Sequence, residues 1–184
     1  MHTTTRRRLA AVGLVTALTT PVAVSVATTS AAAATSAAPY CGITWGSRPK
    51  ATSPGNLWTG SVTGVRAGRH DCYDRLVFDV TPGTGRLGYN VRYVDQLTGP
   101  GSGLPVPIRG GAKLQITVNA PSTLAATTRT FDGWRTFRQL KSLGSFEGYT
   151  DYGLGVRARL PMRVFALTDT DGGRRLVVDV AHRW

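Results

Sequence analysis

Glutamate, cysteine and histidine are scarce in this 184-residue chain, which contains one, two and three of them respectively. This set leaves little material for acid–base catalysis or metal coordination, and no zinc-ligand spacing or phosphate-binding glycine loop occurs. The chain also lacks any run of four basic residues and any RNA-binding aromatic signature, which argues against a specific nucleic-acid partner. We therefore expect no cofactor and no metal.

The few candidate catalytic residues do not form a complete set. His70 precedes Asp71, and His182 follows Asp179 by three positions, but no Gly-x-Ser-x-Gly nucleophile turn accompanies either histidine. We expect His70 to lie in a surface turn and His182 at the end of a strand. The sequence therefore predicts no catalytic residues and a protein that is not an enzyme.

Two acidic segments match known sites only in part. Glu147 and Asp151 would lie about 13 Å apart in a strand, too far for a glycosidase pair unless the chain turns at Gly148. Residues 169–173 resemble the start of a calcium loop without its later ligands, and a hairpin turn explains them better. An enzyme of unfamiliar type that uses Glu147, Asp151 or a histidine is the weakest functional hypothesis.

Residues 1–38 have the order of a secretory signal peptide. Arg6, Arg7 and Arg8 precede an apolar stretch, and small residues at candidate cleavage sites follow, the last of them at Ala38. A membrane anchor is the alternative, although threonine, serine and proline dilute the stretch. The arginines also fit a twin-arginine signal loosely, so the export route stays open. We predict a secreted protein that meets the membrane only during export.

The remaining chain is strongly basic. Three of the 22 basic residues lie in the first 38 positions, so 19 remain against 10 acids, a formal charge of +9. One interpretation is attraction to anionic polymers such as the phosphate polymers of a cell wall. The alternative is that the arginine excess reflects genome composition alone.

The two cysteines, Cys41 and Cys72, are predicted to form a disulfide, as paired thiols in an exported chain usually do. Closing a loop of about 30 residues gains roughly 3–4 kcal/mol in the chain-entropy model. A metal site would need more ligands and a catalytic thiol a nearby base, so both alternatives are weaker. The bond would tether an irregular lead-in, residues 39–57, to a domain that spans residues 58–184.

That domain consists of short apolar runs separated by turn residues, which is typical of an all-β sandwich or barrel. Residues 104–108 contain two prolines and are predicted to be an edge strand or an extended loop. The predicted strands are residues 58–65, 73–80, 89–97, 112–118, 162–167 and 176–181.

One segment has a different period. Trp134, Phe137, Leu140 and Leu143 recur every three residues, which predicts a short helix over residues 134–143. Gly144 would end this helix. A bent strand is the alternative.

Two six-residue segments nearly repeat each other. Residues 75–80 read RLVFDV and residues 175–180 read RLVVDV. In a strand, the apolar positions would face the core while Arg75, Asp79, Arg175 and Asp179 face outward. The simpler interpretation is that strands resemble one another; the sharper one is a sandwich with pseudo-two-fold character whose four outward residues form a tentative ligand-binding surface.

Several motifs follow one another in a specific order: GRHD at 68–71, YDRLVF at 73–78, GYNVRYV at 88–94, GSG at 101–103, GSFEG at 144–148, GLG at 153–155, RVFAL at 163–167 and RLVVDV at 175–180. In this order they resemble the AMIN-like domain of secreted proteins in high-GC Gram-positive bacteria. That family is a distant relative of the AMIN domain of periplasmic amidases and pilus secretins.

The resemblance implies a β-sandwich with paired outward motifs and no chemistry of its own. In AMIN-bearing amidases this domain associates with peptidoglycan, whereas the zinc amidase is a separate domain for which this chain has no room. We therefore predict a non-catalytic cell-envelope module that binds peptidoglycan or another anionic glycopolymer. The alternative is a secreted protein-binding domain, an inhibitor or partner of a surface enzyme, with residues 99–103 as a contact loop.

Overall fold

The structure, a computed structural model, describes residues 39–184, and the predicted signal peptide lies outside these residues. The described chain contains no helix, and hence none that could span a membrane. Its strands are β1 (Lys50–Ala51), β2 (Val62–Arg69), β3 (Tyr73–Val80), β4 (Gly88–Val94), β5 (Ala112–Asn119), β6 (Thr128–Thr130), β7 (Phe137–Phe146), β8 (Tyr149–Val156), β9 (Met162–Thr168) and β10 (Arg174–Ala181).

The strands form two antiparallel sheets that enclose one core, which confirms the predicted all-β sandwich. One sheet has six strands in the order β1-β4-β5-β8-β7-β6, and the other has four in the order β2-β3-β10-β9. Alternation in the sequence explains the arrangement, since every second residue of β3 is buried. The inward side chains of the central strands are fully buried and include Leu76, Phe78, Leu114, Ile116, Leu154, Leu176 and Val178.

The two repeated segments are neighbours within the four-stranded sheet. β3 and β10 pair antiparallel with Val77 opposite Val177, so Arg75 lies opposite Asp179 and Asp79 opposite Arg175. The sequence similarity therefore corresponds to a local two-fold relation that passes between the two valines.

The predicted helix over residues 134–143 is wrong, and the bent-strand alternative is confirmed. β7 has irregularities in its register between Phe137 and Gln139 and again between Ser142 and Gly144. An extra residue in a bulge returns the side chain three positions later to the same face of the strand. Phe137 and Leu140 are therefore both buried without a helical turn.

The first long strand begins later than predicted. Trp58 makes only an isolated bridge to Gly85, and β2 starts at Val62. The indole is 2 % exposed and its Nε1 donates a hydrogen bond to the carbonyl of Thr81 at 2.9 Å. Residues 104–108 are an extended loop with one bridge, between Thr98 and Pro105.

A long connection, residues 95–111, lies across the outer side of β7 and β8. Leu97 is fully buried there against Gly153, and Lys141 donates from Nζ to the carbonyl of Pro107 at 2.6 Å. A Cβ on Gly155 would lie 1.8 Å from the carbonyl oxygen of Arg109. The glycines of the GLG motif therefore create the space through which this connection passes.

We expect Gly155→Ala to lower the free energy of unfolding by about 1–3 kcal/mol, because the backbone of the connection must move to admit the methyl group. Urea denaturation measures the change. Gly68→Ala is the matched control, since the nearest atom to its added Cβ is 3.7 Å away. Equal stability of the two variants would contradict the close approach.

A buried carboxylate joins the two sheets at one end. Asp74 has no solvent exposure, and its Oδ2 accepts hydrogen bonds from the backbone N–H groups of Thr136 and Phe137 at 2.7 and 2.9 Å. Its Oδ1 lies 3.2 Å from Nε2 of His182. The start of β7 in one sheet is thereby anchored to β3 in the other.

We predict that Asp74→Ala costs about 3 kcal/mol of stability, because two buried amides and a histidine lose their acceptor. Thermal or urea unfolding tests this value. Asp95→Ala, which removes an exposed carboxylate, should change stability by less than about 0.5 kcal/mol. A loss no larger than that of the control would show that the anchor is dispensable.

Candidate functional site

The four predicted ligand-binding residues lie on one surface, the outer side of the four-stranded sheet. We call this surface the arginine face and define it by Arg66, Arg75, Arg163 and Arg175, which point away from the six-stranded sheet. Each of these arginines forms an ion pair with an aspartate on the same side. Asp179 is fully buried whereas the other aspartates and all four arginines are partly exposed, and that difference decides which groups a ligand can reach.

Asp179 is covered completely, although its side chain lies on the outer side of β10. Arg75 donates from Nε and Nη2 to its two oxygens at 2.7 and 2.9 Å. Arg163 donates from Nη2 and Nε to one of those oxygens at 2.6 and 3.1 Å. The Asp179 side chain is 0 % exposed, whereas those of Arg75 and Arg163 are 26 % and 33 % exposed. The carboxylate is therefore a structural partner of the arginines, not a group that is open to a ligand.

Two cations share one anion at this point, so the cluster of Arg75, Arg163 and Asp179 carries a net charge of +1. The hydrogen bonds to Asp179 raise the pKa of Arg75 above its usual value, so this guanidinium stays charged at every physiological pH. Nη1 of each arginine has no hydrogen-bond partner within residues 39–184. The cluster can therefore donate hydrogen bonds to an external anion without breaking its internal pairs.

Aromatic rings surround this positive cluster. The Arg163 guanidinium lies 4.9 Å from the ring centre of Phe165 and 5.7 Å from that of Trp45. The Arg75 guanidinium lies 5.2 Å from the ring centre of Tyr73, and Tyr73 and Trp45 lie 5.7 Å apart. Contacts at this range between a cation and a ring face are attractive and hold the guanidinium in place.

The lead-in supplies one of these rings. The predicted disulfide between Cys41 and Cys72 is confirmed, and it ties the segment that carries Trp45 to the β2–β3 turn. Trp45 donates from Nε1 to the carbonyl of Tyr40 at 2.9 Å, and Gly46 next to it pairs with the first residue of β9, Met162. The tether therefore positions an aromatic ring beside Arg163.

The other two predicted residues pair with partners that the sequence did not single out. Asp79 accepts two hydrogen bonds from Arg66, at 2.6 and 2.7 Å, and Arg175 pairs with Asp169 at 2.5 Å. Asp79 and Arg175 are nevertheless direct neighbours across the β3–β10 ladder. The two ends of the repeated segments are thus alike in sequence but not in pairing, because Arg75 contacts Asp179 across the ladder whereas Arg175 contacts Asp169 and not Asp79.

The remaining candidates for chemistry do not assemble into a reactive set. His70 stacks on Tyr73 with ring centres 4.5 Å apart, and His182 is engaged by Asp74. Glu147 lies exposed in the turn between β7 and β8, whereas Asp151 lies within β8. Across the described part of the chain, no three His, Cys, Asp or Glu side chains come together in a way that could hold a metal ion.

A second open region lies on the other sheet. A cleft of about 490 Å³ separates residues 51–55 from β4 and β5 and is lined by Asn90, Thr117 and Tyr149. Thr117, which lines the cleft, donates a hydrogen bond from Oγ1 to Asp151 at 2.5 Å. Burial raises the pKa of the Asp151 carboxyl above its ordinary value of 3.8, an effect that the Thr117 hydrogen bond and Arg92 only partly oppose.

We expect Asp151→Asn to be more stable than the parent protein at neutral pH. A carboxyl whose pKa is raised by folding disfavours the native state once it is ionised, and this penalty vanishes below its unfolded-state pKa. The difference in melting temperature should therefore grow as the pH rises above about 4 and disappear near pH 3. Asp132→Asn, at an exposed position, is the control; the same pH dependence in both variants would contradict the effect of burial.

Fold and site together define a small disulfide-tethered β-sandwich whose open surface presents paired arginines, with no assembled catalytic set in the described residues. Comparison with known protein families matches residues 60–182 to the AMIN-like domain. The chain therefore belongs to the AMIN-like domain family, which confirms the resemblance seen in the sequence. No curated protein and no solved structure matches the chain in the corresponding comparisons.

Proposed function

We propose that this protein is an exported, non-catalytic module of the cell envelope that binds peptidoglycan or another anionic wall polymer through the arginine face. Membership of the AMIN-like family supports a targeting role. The disulfide supports export, because such bonds persist in oxidising compartments outside the cytoplasm.

The observation that carries the proposal is the shared carboxylate of Asp179. Arg75 and Arg163 each keep an Nη1 donor with no partner in the described part of the chain, and together with Asp179 they carry a net positive charge. Guanidinium groups suit carboxylate and phosphate oxygens, which occur in peptide stems and wall phosphate polymers. The surrounding rings of Trp45 and Phe165 add apolar surface against which a sugar or a peptide side chain can pack.

The overall charge favours the same class of partner. Residues 39–184 carry a formal charge of +9, which attracts an anionic polymer at long range. Added salt screens this charge and weakens the attraction. The ion pairs of Arg66 with Asp79 and of Arg175 with Asp169 partly neutralise the rest of the face. Specific binding is therefore centred on Arg75 and Arg163.

Co-sedimentation with purified peptidoglycan, and with wall that retains its anionic polymers, tests this function. We expect Arg163→Gln to weaken binding about 10-fold, which corresponds to about 1.4 kcal/mol, the scale of one charge-assisted hydrogen bond. Asp179 keeps both hydrogen bonds from Arg75 in this variant, so the sheet remains supported.

Arg92→Gln is the charge-matched control, because Arg92 is exposed on the six-stranded sheet and its hydrogen bond within residues 39–184 goes to Gln115. It should bind the wall as the parent protein does. No co-sedimentation of the parent protein at moderate salt would overturn the proposal. Equal losses of wall binding in the Arg163→Gln and Arg92→Gln variants would show that net charge drives the binding, and not a site at Arg163.

A further inference from the structure

The four-stranded sheet has an open edge at β9. β10 covers one side of β9, and within residues 39–184 the other side is bridged only at its first residue, where Met162 pairs with Gly46. Beyond Arg163, whose side chain points to the outer face, this edge reads Val164 to Thr168 and contains no charged residue and no proline, two of the features that usually prevent edge-to-edge pairing. Leu167 is 40 % exposed there.

The direction of the free backbone groups follows from the pair at Met162. Its N–H and C=O exchange hydrogen bonds with Gly46 at 2.9 and 3.4 Å, so both groups point away from β10. Backbone groups alternate in direction along a strand, and those of Val164, Ala166 and Thr168 therefore point the same way. These six groups have no hydrogen-bond partner within residues 39–184.

We propose that β9 pairs antiparallel with β9 of a second copy of this chain, about a two-fold axis at Ala166. In this register Ala166 bonds to Ala166 of the second copy, and Val164 bonds to Thr168 of the second copy at each end. All six free backbone groups of each chain are then satisfied by six hydrogen bonds. The two four-stranded sheets become one continuous sheet.

The side chains of the strand favour a second copy as the occupant. In the same register, Phe165 lies opposite Leu167 of the second copy on both sides of the axis. Two apolar pairs therefore face each other on the outer side of the sheet, and such cross-strand pairs stabilise neighbouring strands. The small Ala166 side chain lies at the axis, where two copies approach most closely.

The length of the open edge also fits β9 itself. Gly46 occupies the position beside Met162 at one end, and the chain turns away after Asp169 at the other, where Asp169 and Gly173 share a backbone hydrogen bond of 3.0 Å. Five residues, Val164 to Thr168, are thus open for pairing. A longer extended peptide would meet the lead-in, whereas a second β9 ends where the space ends.

Sedimentation equilibrium of the protein over a concentration series tests the dimer. We expect a monomer–dimer equilibrium that Leu167→Lys and Ala166→Pro both shift to monomer. The proline removes an N–H that bonds to nothing in its own sheet, so folding is preserved. Leu104→Lys, at another exposed leucine, is the control and should leave the equilibrium unchanged.

Single cysteines test the register. Residues directly opposite each other in a hydrogen-bonded antiparallel pair have Cα atoms about 5.5 Å apart, within reach of a disulfide. Ala166→Cys should therefore form a disulfide-linked dimer on mild oxidation. Thr168→Cys should not, because the two copies of that position would lie about 14 Å apart.

A parent protein that stays monomeric up to about 1 mM would overturn the proposal, since the association would then be weaker than about 4 kcal/mol. A dimer that Leu167→Lys and Ala166→Pro leave intact would also overturn it. Equal cross-linking by both cysteine variants would refute the register. None of these outcomes depends on whether the protein binds cell wall.

Discussion

Asp179 carries a negative charge in a position with no solvent exposure, and the four-stranded sheet depends on how this charge is balanced. Desolvating a carboxylate is costly, and the cost is offset only by close cations that also satisfy its hydrogen bonds. Arg75 on β3 and Arg163 on β9 provide these bonds from the two sides of β10. The same pair of contacts joins three strands and leaves an excess positive charge at the surface, so structure and proposed function have one origin.

The sequence predicted the fold well where hydrophobic alternation is regular. β3 has the predicted bounds because no residue interrupts the pattern of YDRLVFDV. β7 was predicted as a helix because its bulges shift the alternation and imitate a period of three. Trp58 was placed in a strand on its apolar character, yet its burial comes from packing against residues distant in sequence, with a hydrogen bond to Thr81.

The candidate site was predictable only in part. Strand alternation correctly gave the outward direction of Arg75, Asp79, Arg175 and Asp179, and their role in binding a ligand stays a prediction. The covering of Asp179 could not be read from the sequence, because Arg163 reaches it only through the pairing of β9 with β10. In the same way, Arg66 belongs to the arginine face only through the pairing of β2 with β3, which the sequence did not reveal.

The disulfide determines when the proposed binding surface is complete. Neither Cys41 nor Cys72 belongs to a strand, so reduction of the bond removes no ladder hydrogen bond of either sheet directly. The reduced chain would, however, lose the covalent link that holds the Trp45 segment against β9, and with it one wall of the proposed binding surface. Oxidation would then complete the proposed binding surface, whereas in a thiol-rich compartment the Trp45 segment would depend on non-covalent contacts such as the hydrogen bonds between Gly46 and Met162.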